Sequence, residues 1–269
     1  MPIVHPNALV SPKARLADGV TVDAFAVIDD DVEVGAGTWI GSSTRLFSGV
    51  RIGENVKVSP MVAIGGEPQD KKFSGEPSNV FVGDFTQIRE FVTISRGTSA
   101  TGKTTVGSNC LLMAYAHVAH DCVVGDQVIL SNAVQLAGHV HVGDYAILGG
   151  MVPVHQFVNI GRHCMIGGAF RVPKDVPPYV LAAGHPLTFA GLNVIGLRRR
   201  GFTGEQIRTL KHIYRMLFVS TLNVSQAIEE IKKQFAGDPY ADEISQFVGI
   251  SRRGLMPGRS RIREEEESL

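Results

Sequence analysis

The sequence predicts a parallel β-helix followed by a small C-terminal helical domain. An aliphatic residue occupies every sixth position near the N-terminus, the repeat resumes after two interruptions, and helical spacing appears only beyond residue 203. Neither the 3.6-residue period of a helix nor the two-residue alternation of an ordinary strand gives a sixfold repeat. A short fixed repeat is typical of a β-helix, in which each side of a coil is one short strand. The first unbroken series is Val4, Val10, Leu16, Val22, Ile28, Val34, Ile40, Leu46, Ile52, Val58 and Ile64.

A second inward position falls four residues after each aliphatic residue and usually holds a small or medium side chain, as at Ala8 and Val20. Both positions must face the interior of a narrow tube, where bulky side chains do not fit. Glycine often follows the aliphatic residue directly, as at Gly35, Gly41 and Gly53. We expect these glycines to adopt the positive φ of a tight corner.

Two segments interrupt the repeat, at about residues 65–81 and 95–105, and it then runs unbroken from Val106 to Val172. Six-residue sides that close a three-sided coil give eighteen residues per coil, with coils about 4.8 Å apart. The interruptions are therefore predicted to be loops that leave the wall of the prism. Insertions in a repeat fold gather on one face, which is often the binding face.

The repeat ends near Asp175–Tyr179, where two adjacent prolines break the wall. We therefore predict a β-helix over residues 1–187, a helical domain over 188–256 and a disordered, charge-rich tail over 257–269. Three helices are expected in the second domain, each from its own start signal. These signals are the capping box Thr203–Gln206, a cap at Asn223 or Ser225, and Asp238–Pro239.

Composition excludes several classes of function. The 26 basic and 26 acidic side chains balance, which argues against a nucleic-acid surface or a polybasic membrane anchor. No apolar run is long enough to span a bilayer, and the N-terminus does not resemble a signal peptide, so we expect a cytoplasmic protein. The three cysteines all fall at small inward positions and are predicted to be buried free thiols, namely Cys110, Cys122 and Cys164.

Histidines cluster between residues 117 and 163. When whole coils of eighteen are subtracted, His139 and His155 fall within one residue of His120, so the three should line one edge of the prism in successive coils. Gly138 and Gln156 are in register with His120. Two alternatives to a catalytic role stay open for this ridge. The first is that the histidines lie there only because polar residues favour exposed corners, and the second is that they bind zinc, since histidines from stacked coils can hold that metal. The metal alternative is weakened because we see no carboxylate or cysteine set that completes it.

Several motifs closely resemble those of the UDP-N-acetylglucosamine acyltransferases, which carry out the first step of lipid A synthesis. The strongest matches are His117-Val-Ala-His-Asp-Cys, Leu136-Ala-Gly-His-Val140 and Val154-His-Gln-Phe157. Further matches are Pro68-Gln-Asp-Lys-Lys72 and Gly196-Leu-Arg-Arg-Arg-Gly-Phe202. The resemblance implies a left-handed coil and a homotrimer with sites between neighbouring prisms. It also implies transfer of a 3-hydroxyacyl chain from acyl carrier protein to the 3-hydroxyl of UDP-N-acetylglucosamine, with no cofactor or metal.

The resemblance also assigns roles to individual residues. His120 matches the general base, Asp121 the carboxylate that orients its imidazole, and Gly138 the backbone N–H that stabilises the thioester oxyanion. A histidine is suited to removing a proton from a sugar hydroxyl near neutral pH. Substrate-binding matches are His117, His139 and His155 in the active site, Gln156, Asn193, Arg199 and Arg200 at the nucleotide, and Asp70 and Lys72 on the first loop. Some members carry a glutamate where this chain has Ile195, which puts the ribose contact in doubt.

Two further predictions concern the acyl donor. Gly168 corresponds to the floor of the acyl groove, where a glycine predicts a deep groove and a long chain. Arg208, Lys211 and Arg215 form a basic strip on the first predicted helix that could dock an acidic carrier protein, or could simply be a solvated face.

Competing functions remain at this stage. They are the related N-acyltransferase, which carries an additional domain before its repeats, a coenzyme A-dependent acyltransferase, a structural scaffold, and an enzyme that acts on a 3-amino acceptor sugar.

Overall fold

The prism has three flat walls, which we call faces A, B and C in the order in which the chain visits them. We describe residues 1–258 of a computed structural model. Face A has eleven strands and faces B and C have eight each. All neighbouring strands are parallel except the last pair on face A. Each coil contributes one short strand to each face, so the parallel β-helix predicted from the sequence is confirmed.

The strands are mostly two residues long, and their bounds follow the sixfold repeat. On face A they are Ile3–Val4, Thr21–Val22, Trp39–Ile40, Lys57–Val58, Gln87–Ile88, Leu111–Leu112, Ile129–Leu130, Ile147–Leu148, Met165–Ile166, Val180–Ala183 and Thr188–Leu192. On face B they are Leu9–Val10, Val27–Ile28, Arg45–Leu46, Ala63–Gly66, Thr93–Ser95, His117–Val118, Gln135–Leu136 and Pro153–Val154. On face C they are Arg15–Leu16, Val32–Val34, Val50–Ile52, Asn79–Val82, Lys103–Val106, Val123–Val124, His141–Val142 and Asn159–Ile160.

Strand register confirms eighteen residues per coil. Val118 pairs with Leu136, which pairs in turn with Val154. Where the loops intervene, the spacing grows by a multiple of six: Ile64 pairs with Ile94 across the first loop. Because the register is preserved across the loops, residues far apart in sequence still align along one edge.

The interior is filled by the two predicted sets of inward side chains. From Val20 to Val172 the aliphatic and small positions are almost all buried, and the buried set includes all three cysteines as free thiols. The first coil is the exception, because it has no coil beneath it: Val4 keeps 41% of its surface exposed. Continuous burial of apolar surface along the tube is the main stabilising term of this fold.

The prediction that glycines following the aliphatic residue adopt positive φ is wrong. Gly35, Gly41 and Gly53 lie outside that region, and positive φ occurs two residues later, at side chains such as Phe25 and His139. The glycines are required by crowding between coils. A Cβ built on Gly35 would lie 2.5 Å from the carbonyl carbon of Gly53 in the next coil.

Two loops leave the prism at the corner that follows face B. Loop 1 covers residues 67–78, between the strands Ala63–Gly66 and Asn79–Val82, and loop 2 covers residues 96–102, between Thr93–Ser95 and Lys103–Val106. The loops pack together, since Ser78 Oγ donates to the Gly97 carbonyl at 2.6 Å. They form one projection beside the B–C edge, the corner at which face B turns into face C.

The C-terminal region holds four helices: α1 (Val194–Arg199), α2 (Gly204–Phe218), α3 (Val224–Gln234) and α4 (Pro239–Ile250). The three longer helices and the caps at Thr203 and Asn223 match the sequence prediction, and Asp238 caps α4. The six-residue α1 is too short to have been predicted from periodicity.

The end of the prism continues into the second region without a break. An antiparallel pair, Val180–Ala183 with Thr188–Leu192, extends face A, so the boundary placed between residues 187 and 188 falls within this pair. Glu243 of α4 accepts two hydrogen bonds from Arg162 at 2.7 Å each, which fastens the helices to the wall.

Of the tail predicted to be disordered, residues 259–269 lie outside the described part of the chain. Pro257 is ordered against face A, because its carbonyl accepts the Phe189 N–H at 3.0 Å. Among the residues described, no helix combines the length and the apolar character needed to cross a membrane.

Candidate active site

His120 lies at the B–C edge, two residues after the inward Val118, beside the projection formed by the loops. Its Nδ1 is 2.8 Å from Oδ2 of Asp121, the next residue along the chain. The contact that adjacency in sequence could not establish is therefore present. The His120 side chain is 12% exposed and that of Asp121 is fully buried, so the imidazole is the accessible member of the pair.

Asp121 is held by donors from loop 2 as well as by His120. Thr98 donates its backbone N–H at 3.0 Å and its hydroxyl at 2.7 Å, and the hydroxyl of Thr101 also donates to the carboxylate. Burial alone would raise the pKa of Asp121, but the hydrogen bonds from Thr101, His120 and Thr98 outweigh it and lower the pKa to about 2. Asp121 is thus a carboxylate at neutral pH.

The ionised partner fixes the tautomer of His120. A carboxylate can only accept, so Nδ1 of His120 must carry the proton in this hydrogen bond. In the neutral imidazole the lone pair is then on Nε2, the atom that faces away from Asp121. This is the protonation state that a general base requires.

Gly138 lies directly against the His120 ring in the next coil. A Cβ built on Gly138 would be 2.5 Å from Cε1 and 2.7 Å from Nε2 of His120, so no side chain fits there while the imidazole keeps its position. We call the backbone N–H two residues after an inward aliphatic residue the corner N–H. Among residues 1–258 the corner N–H of Gly138 has no acceptor, although its carbonyl accepts from Phe157. A residue with a free backbone N–H is therefore in close contact with the imidazole ring of His120.

His139 stands next to both groups, in the coil above His120. Its ring meets the His120 ring edge-on, with centroids 5.1 Å apart, and stacks on Phe157 at 4.5 Å. Burial lowers the pKa of His139, opposed by the nearby charge of Asp121. His139 is therefore expected to be neutral at pH 7, as a hydrogen-bonding rather than a charged group.

The sequence argument that no carboxylate completes a metal site is wrong, because Asp121 lies with the histidines. Ligand atoms of His120, Asp121 and His139 all lie within 4.8 Å of one another. Both carboxylate oxygens, however, already accept hydrogen bonds from Thr98, Thr101 or His120. A metal ion on Asp121 would compete with these donors, so the bonding pattern fits an acid–base pair better than a ligand set.

The other ridge residues are polar groups around this centre. His117 lies in a face B strand, with Nδ1 2.7 Å from the Thr93 hydroxyl, and burial lowers its pKa. His155 lies two coils above, with Nδ1 3.0 Å from the Gln156 carbonyl. The side chain of Gln156 is exposed at the corner and in register with Gly138. The sequence-predicted ridge is thus present, with its members at three neighbouring corner positions rather than one.

Loop 1 carries Asp70 and Lys72 toward the same edge. The Asp70 carboxylate accepts the Lys72 N–H at 3.0 Å, and burial lowers the pKa of His139 in spite of the opposing charge of Asp70. Lys72 itself is exposed. Within one chain, Asp70 therefore lies close enough to the ridge for its charge to act on His139.

The predicted nucleotide contacts Asn193, Arg199 and Arg200 lie at a different edge, where face C turns into face A. Asn193 caps α1 by accepting the Gly196 N–H at 3.2 Å, and its amide donates to the His163 carbonyl at 3.0 Å. Arg200 donates to Gln127 Oε1 at 2.7 Å and lies over the Tyr145 ring. Asn193 therefore has a structural role that the sequence did not reveal.

Gly168 lies at the third edge, where face A turns into face B. It is exposed, and a Cβ built there would lie 3.2 Å from the Gly150 carbonyl of the coil below. Two glycines in successive coils leave this edge without side-chain bulk. The basic residues Arg208, Lys211 and Arg215 are exposed on α2, and within residues 1–258 none of the three forms a salt bridge.

Known proteins match both the prism and the C-terminal region. Residues 175–256 match the model of domain 2 of UDP-N-acetylglucosamine O-acyltransferase, and residues 103–138 match the bacterial transferase hexapeptide repeat. The acyl-[acyl-carrier-protein]--UDP-N-acetylglucosamine O-acyltransferase of Chlorobaculum parvum is 46% identical over 94% of this chain and 97% of its own. This chain belongs to the UDP-N-acetylglucosamine O-acyltransferase family.

Solved structures of this family have the same fold. The enzyme from Bacteroides fragilis, at 40% identity, has a TM-score of 0.91 and is covered over 99% of its length. LpxA from Acinetobacter baumannii, at 38% identity, has a TM-score of 0.92 over 94% of this chain. The left-handed parallel β-helix expected from the resemblance is the fold that this chain shares with the family.

Three residues of this candidate site were missed in the sequence. Thr98 and Thr101 hold Asp121 although they lie in loop 2, where the repeat gives no information on position. Phe157 stacks on His139 and could have been found, because it follows His139 by eighteen residues. The repeat therefore locates wall residues of the acyltransferase and leaves loop residues unplaced.

Proposed function

We propose that this chain transfers a 3-hydroxyacyl group from acyl carrier protein to the 3-hydroxyl of UDP-N-acetylglucosamine, the first step of lipid A biosynthesis. Family membership supports the substrate pair, since the relatives are named for it. The observation that carries the proposal is the juxtaposition of an accessible imidazole, a buried carboxylate and a free backbone N–H at one edge.

His120 is the general base of the proposed reaction. Its Nε2 removes the proton from the sugar hydroxyl while the hydroxyl oxygen bonds to the thioester carbonyl carbon. Asp121 keeps Nδ1 protonated and stabilises the imidazolium that forms, as a buried carboxylate does in other histidine pairs. A general base of this kind contributes roughly 10²–10⁴ in rate.

Gly138 stabilises the negative charge that develops on the former carbonyl oxygen. Its corner N–H is free to donate, and Gly138 is in close contact with the His120 ring, so we assign both groups to one tetrahedral centre. The tetrahedral intermediate then expels the carrier thiolate as the C–S bond breaks. The thiolate takes the proton from the His120 imidazolium, which restores the neutral base.

The substrates are proposed to bind between neighbouring prisms of a homotrimer. The base, the acyl-groove residue Gly168 and the nucleotide residues Asn193, Arg199 and Arg200 lie at three different edges of one prism. Six residues of extended chain separate adjacent edges, up to about 20 Å. A single substrate therefore meets all three sets only if different chains supply them. Sedimentation analysis tests this, and a monomer with full activity would contradict it.

The remaining substrate contacts are assigned by position. Asp70 and Lys72 on loop 1, with His117, His139, His155 and Gln156, surround the sugar and the reacting acyl end. The paired glycines at positions 150 and 168 favour a deep acyl groove. Arg208, Lys211 and Arg215 are proposed to dock the acidic carrier protein, and the absence of salt bridges on them within the described residues leaves their charge available. The three buried free thiols are compatible with a cytoplasmic location.

Product analysis by mass spectrometry tests the proposed function. The protein is incubated with defined 3-hydroxyacyl carrier proteins and either UDP-N-acetylglucosamine or its 3-amino analogue. We expect an ester on the 3-hydroxyl, formed by the wild type and lost in His120→Ala. An amide product formed only from the amino sugar would replace the proposed acceptor, and a wild-type rate in His120→Ala would remove the proposed base.

A further inference from the structure

The carboxylate that orients the base is itself held by loop 2 rather than by the prism. Of the four donors to Asp121, only His120 belongs to the wall; the others are the N–H and hydroxyl of Thr98 and the hydroxyl of Thr101. Thr98 is 7% exposed, so its hydroxyl has little access to water as an alternative hydrogen-bond partner. The direction in which Asp121 points is therefore set by a segment that interrupts the repeat.

Loop 2 is in turn fastened to loop 1. The Glu76 carboxylate accepts the Ser99 N–H at 3.0 Å, one residue beyond Thr98. The guanidinium of Arg96 lies over the Phe73 ring at 5.5 Å. Loop 1 also carries Asp70 and Lys72, the predicted sugar contacts. The sugar-binding loop and the base are thus connected through Glu76, loop 2 and Asp121 in an unbroken series of contacts.

We propose that Thr98 is a positioning residue of the reaction: it fixes Asp121 so that His120 presents Nε2 toward the acceptor hydroxyl, and Glu76 holds Thr98 in place from loop 1. This inference rests on the proposed function, because it assigns Thr98 a role through the His120–Asp121 pair. Thr98 touches neither the imidazole nor, in this assignment, the substrate. Its effect should appear in turnover rather than in substrate binding.

Steady-state kinetics of Thr98→Val tests the first step. Valine keeps the branched shape and removes the hydroxyl donor to a charged group, so kcat should fall about tenfold or more with KM changed less than about twofold. Thr98→Ser keeps the hydroxyl and should restore most of the lost kcat. Thr21→Val, which makes the same chemical change on a face A strand near the N-terminal end of the prism, serves as the matched control and should keep the wild-type kcat. A serine variant as slow as the valine variant would overturn the proposal.

A double-mutant cycle with Asp121→Ala separates this role from a general effect on the fold. If Thr98 acts only through Asp121, Thr98→Val should cause no further loss of kcat once Asp121 is absent. Losses that multiply would overturn the inference while leaving the proposed function intact. A wild-type kcat in Asp121→Ala alone would instead contradict the proposed function. Thr101→Val, which removes a different donor to the same carboxylate, gives a second cycle if Thr98→Val does not fold.

The contact between loop 1 and loop 2 is tested in the same way with the variant Glu76→Ala. Removing this carboxylate frees the Ser99 N–H and loosens loop 2, so kcat should fall by about threefold to tenfold. This loss, too, should vanish in the Asp121→Ala background. A loss that persists there would show that Glu76 acts on the substrate directly, and it would confine the positioning role to Thr98.

Discussion

At the C–A edge, where face C turns into face A, three corner N–H groups donate to an aspartate of the following coil, whereas at the B–C edge the corner N–H of Gly138 donates to none. The capped groups are those of Glu54, Ser108 and Asp126, which donate to Asp84, Asp126 and Asp144 at 2.7–2.9 Å. At the B–C edge the residue in register with these aspartates is Gln156, which does not reach Gly138. The same backbone geometry is thus closed by side chains at one edge and left open at the other.

Whether a corner N–H is capped by an aspartate depends on the side chain of the residue before it. Next to the capped N–H groups lie Gly53, Gly107 and Gly125, where a Cβ would come within 2.2–2.4 Å of the capping carboxylate. At the B–C edge the equivalent position is Ala137, which leaves no such space. Among the residues described, a corner N–H is capped only where a glycine precedes it and an aspartate follows in the next coil, and Gly138 has neither. The site exists where the aspartate is absent and an imidazole from the previous coil faces the free N–H.

The largest expected effect at the open edge is loss of the base. His120→Ala should lower kcat by roughly 10²–10⁴, because the variant has no imidazole beside Asp121 to remove the proton. The control is His141→Ala, which removes an imidazole from the outer surface of face C. A comparable loss of kcat in the control would show that the assay reports histidine loss in general.

The next effect contrasts a glycine at each edge. In Gly138→Ala the backbone N–H is kept but the new methyl group meets the His120 ring at 2.5 Å, so the base must move and kcat should fall by roughly 10²-fold. In Gly53→Ala the methyl group meets the Asp84 carboxylate instead, which should lower the melting temperature and leave the kcat of the folded protein unchanged. Kinetics and thermal melts of both variants check this, and a reversed pattern would contradict the contrast.

The closed edge should show a pH-dependent stability that comes from a single histidine, His163. His163 stacks on Tyr145 at this edge, and burial, with the charges of Arg162 and Arg200, lowers its pKa to about 4. Between pH 4 and 6.5 the unfolded chain binds more protons than the folded one, so stability rises with pH across this window and is constant above it. From pH 7 to pH 5 the free energy of unfolding should fall by about 2 kcal/mol through this group.

Urea unfolding of the wild type and His163→Gln at the two pH values measures this contribution. The variant cannot be protonated at this position, so its stability should change less between pH 7 and pH 5 by about that amount. Equal changes in the two proteins would show that His163 does not contribute.

The smallest effect concerns a single cap. Asp126→Ala removes the acceptor from the Ser108 N–H and should lower the free energy of unfolding by about 1 kcal/mol without changing kcat, because the bond is partly open to water. Asp126→Asn retains an acceptor oxygen and should lose less than the alanine variant in the same urea titration. Equal losses in the two variants would show that the hydrogen bond contributes nothing.

The sequence predicted what the repeat controls. Because the inward positions recur every six residues, the register of Val118, Leu136 and Val154 follows directly, and with it the neighbourhood of His120 and Gly138. The prediction for the φ of the glycines was wrong because the repeat gives the spacing of corners but not the contact between coils that excludes a Cβ.

The contacts made by non-repeating segments could not be predicted from the sequence, because they do not follow the spacing of the repeat. Thr98 meets Asp121 from a segment with no repeat, and Asn193 caps a helix too short to show periodicity. Both contacts depend on how a non-repeating segment folds back on the wall. Spacing alone does not encode that.

The claim that the free N–H of Gly138 is needed for the reaction is tested most directly by giving that N–H an aspartate acceptor. In the variant Ala137→Gly/Gln156→Asp the B–C edge acquires the glycine and aspartate that cap the corner N–H at the C–A edge, while His120 and Gly138 stay unchanged. With Ala137→Gly/Gln156→Ala as the control, kcat at saturating substrate should fall by roughly 10²–10³ in the aspartate variant alone. Equal kcat in the two variants would contradict the claim that the free N–H of Gly138 carries the reaction.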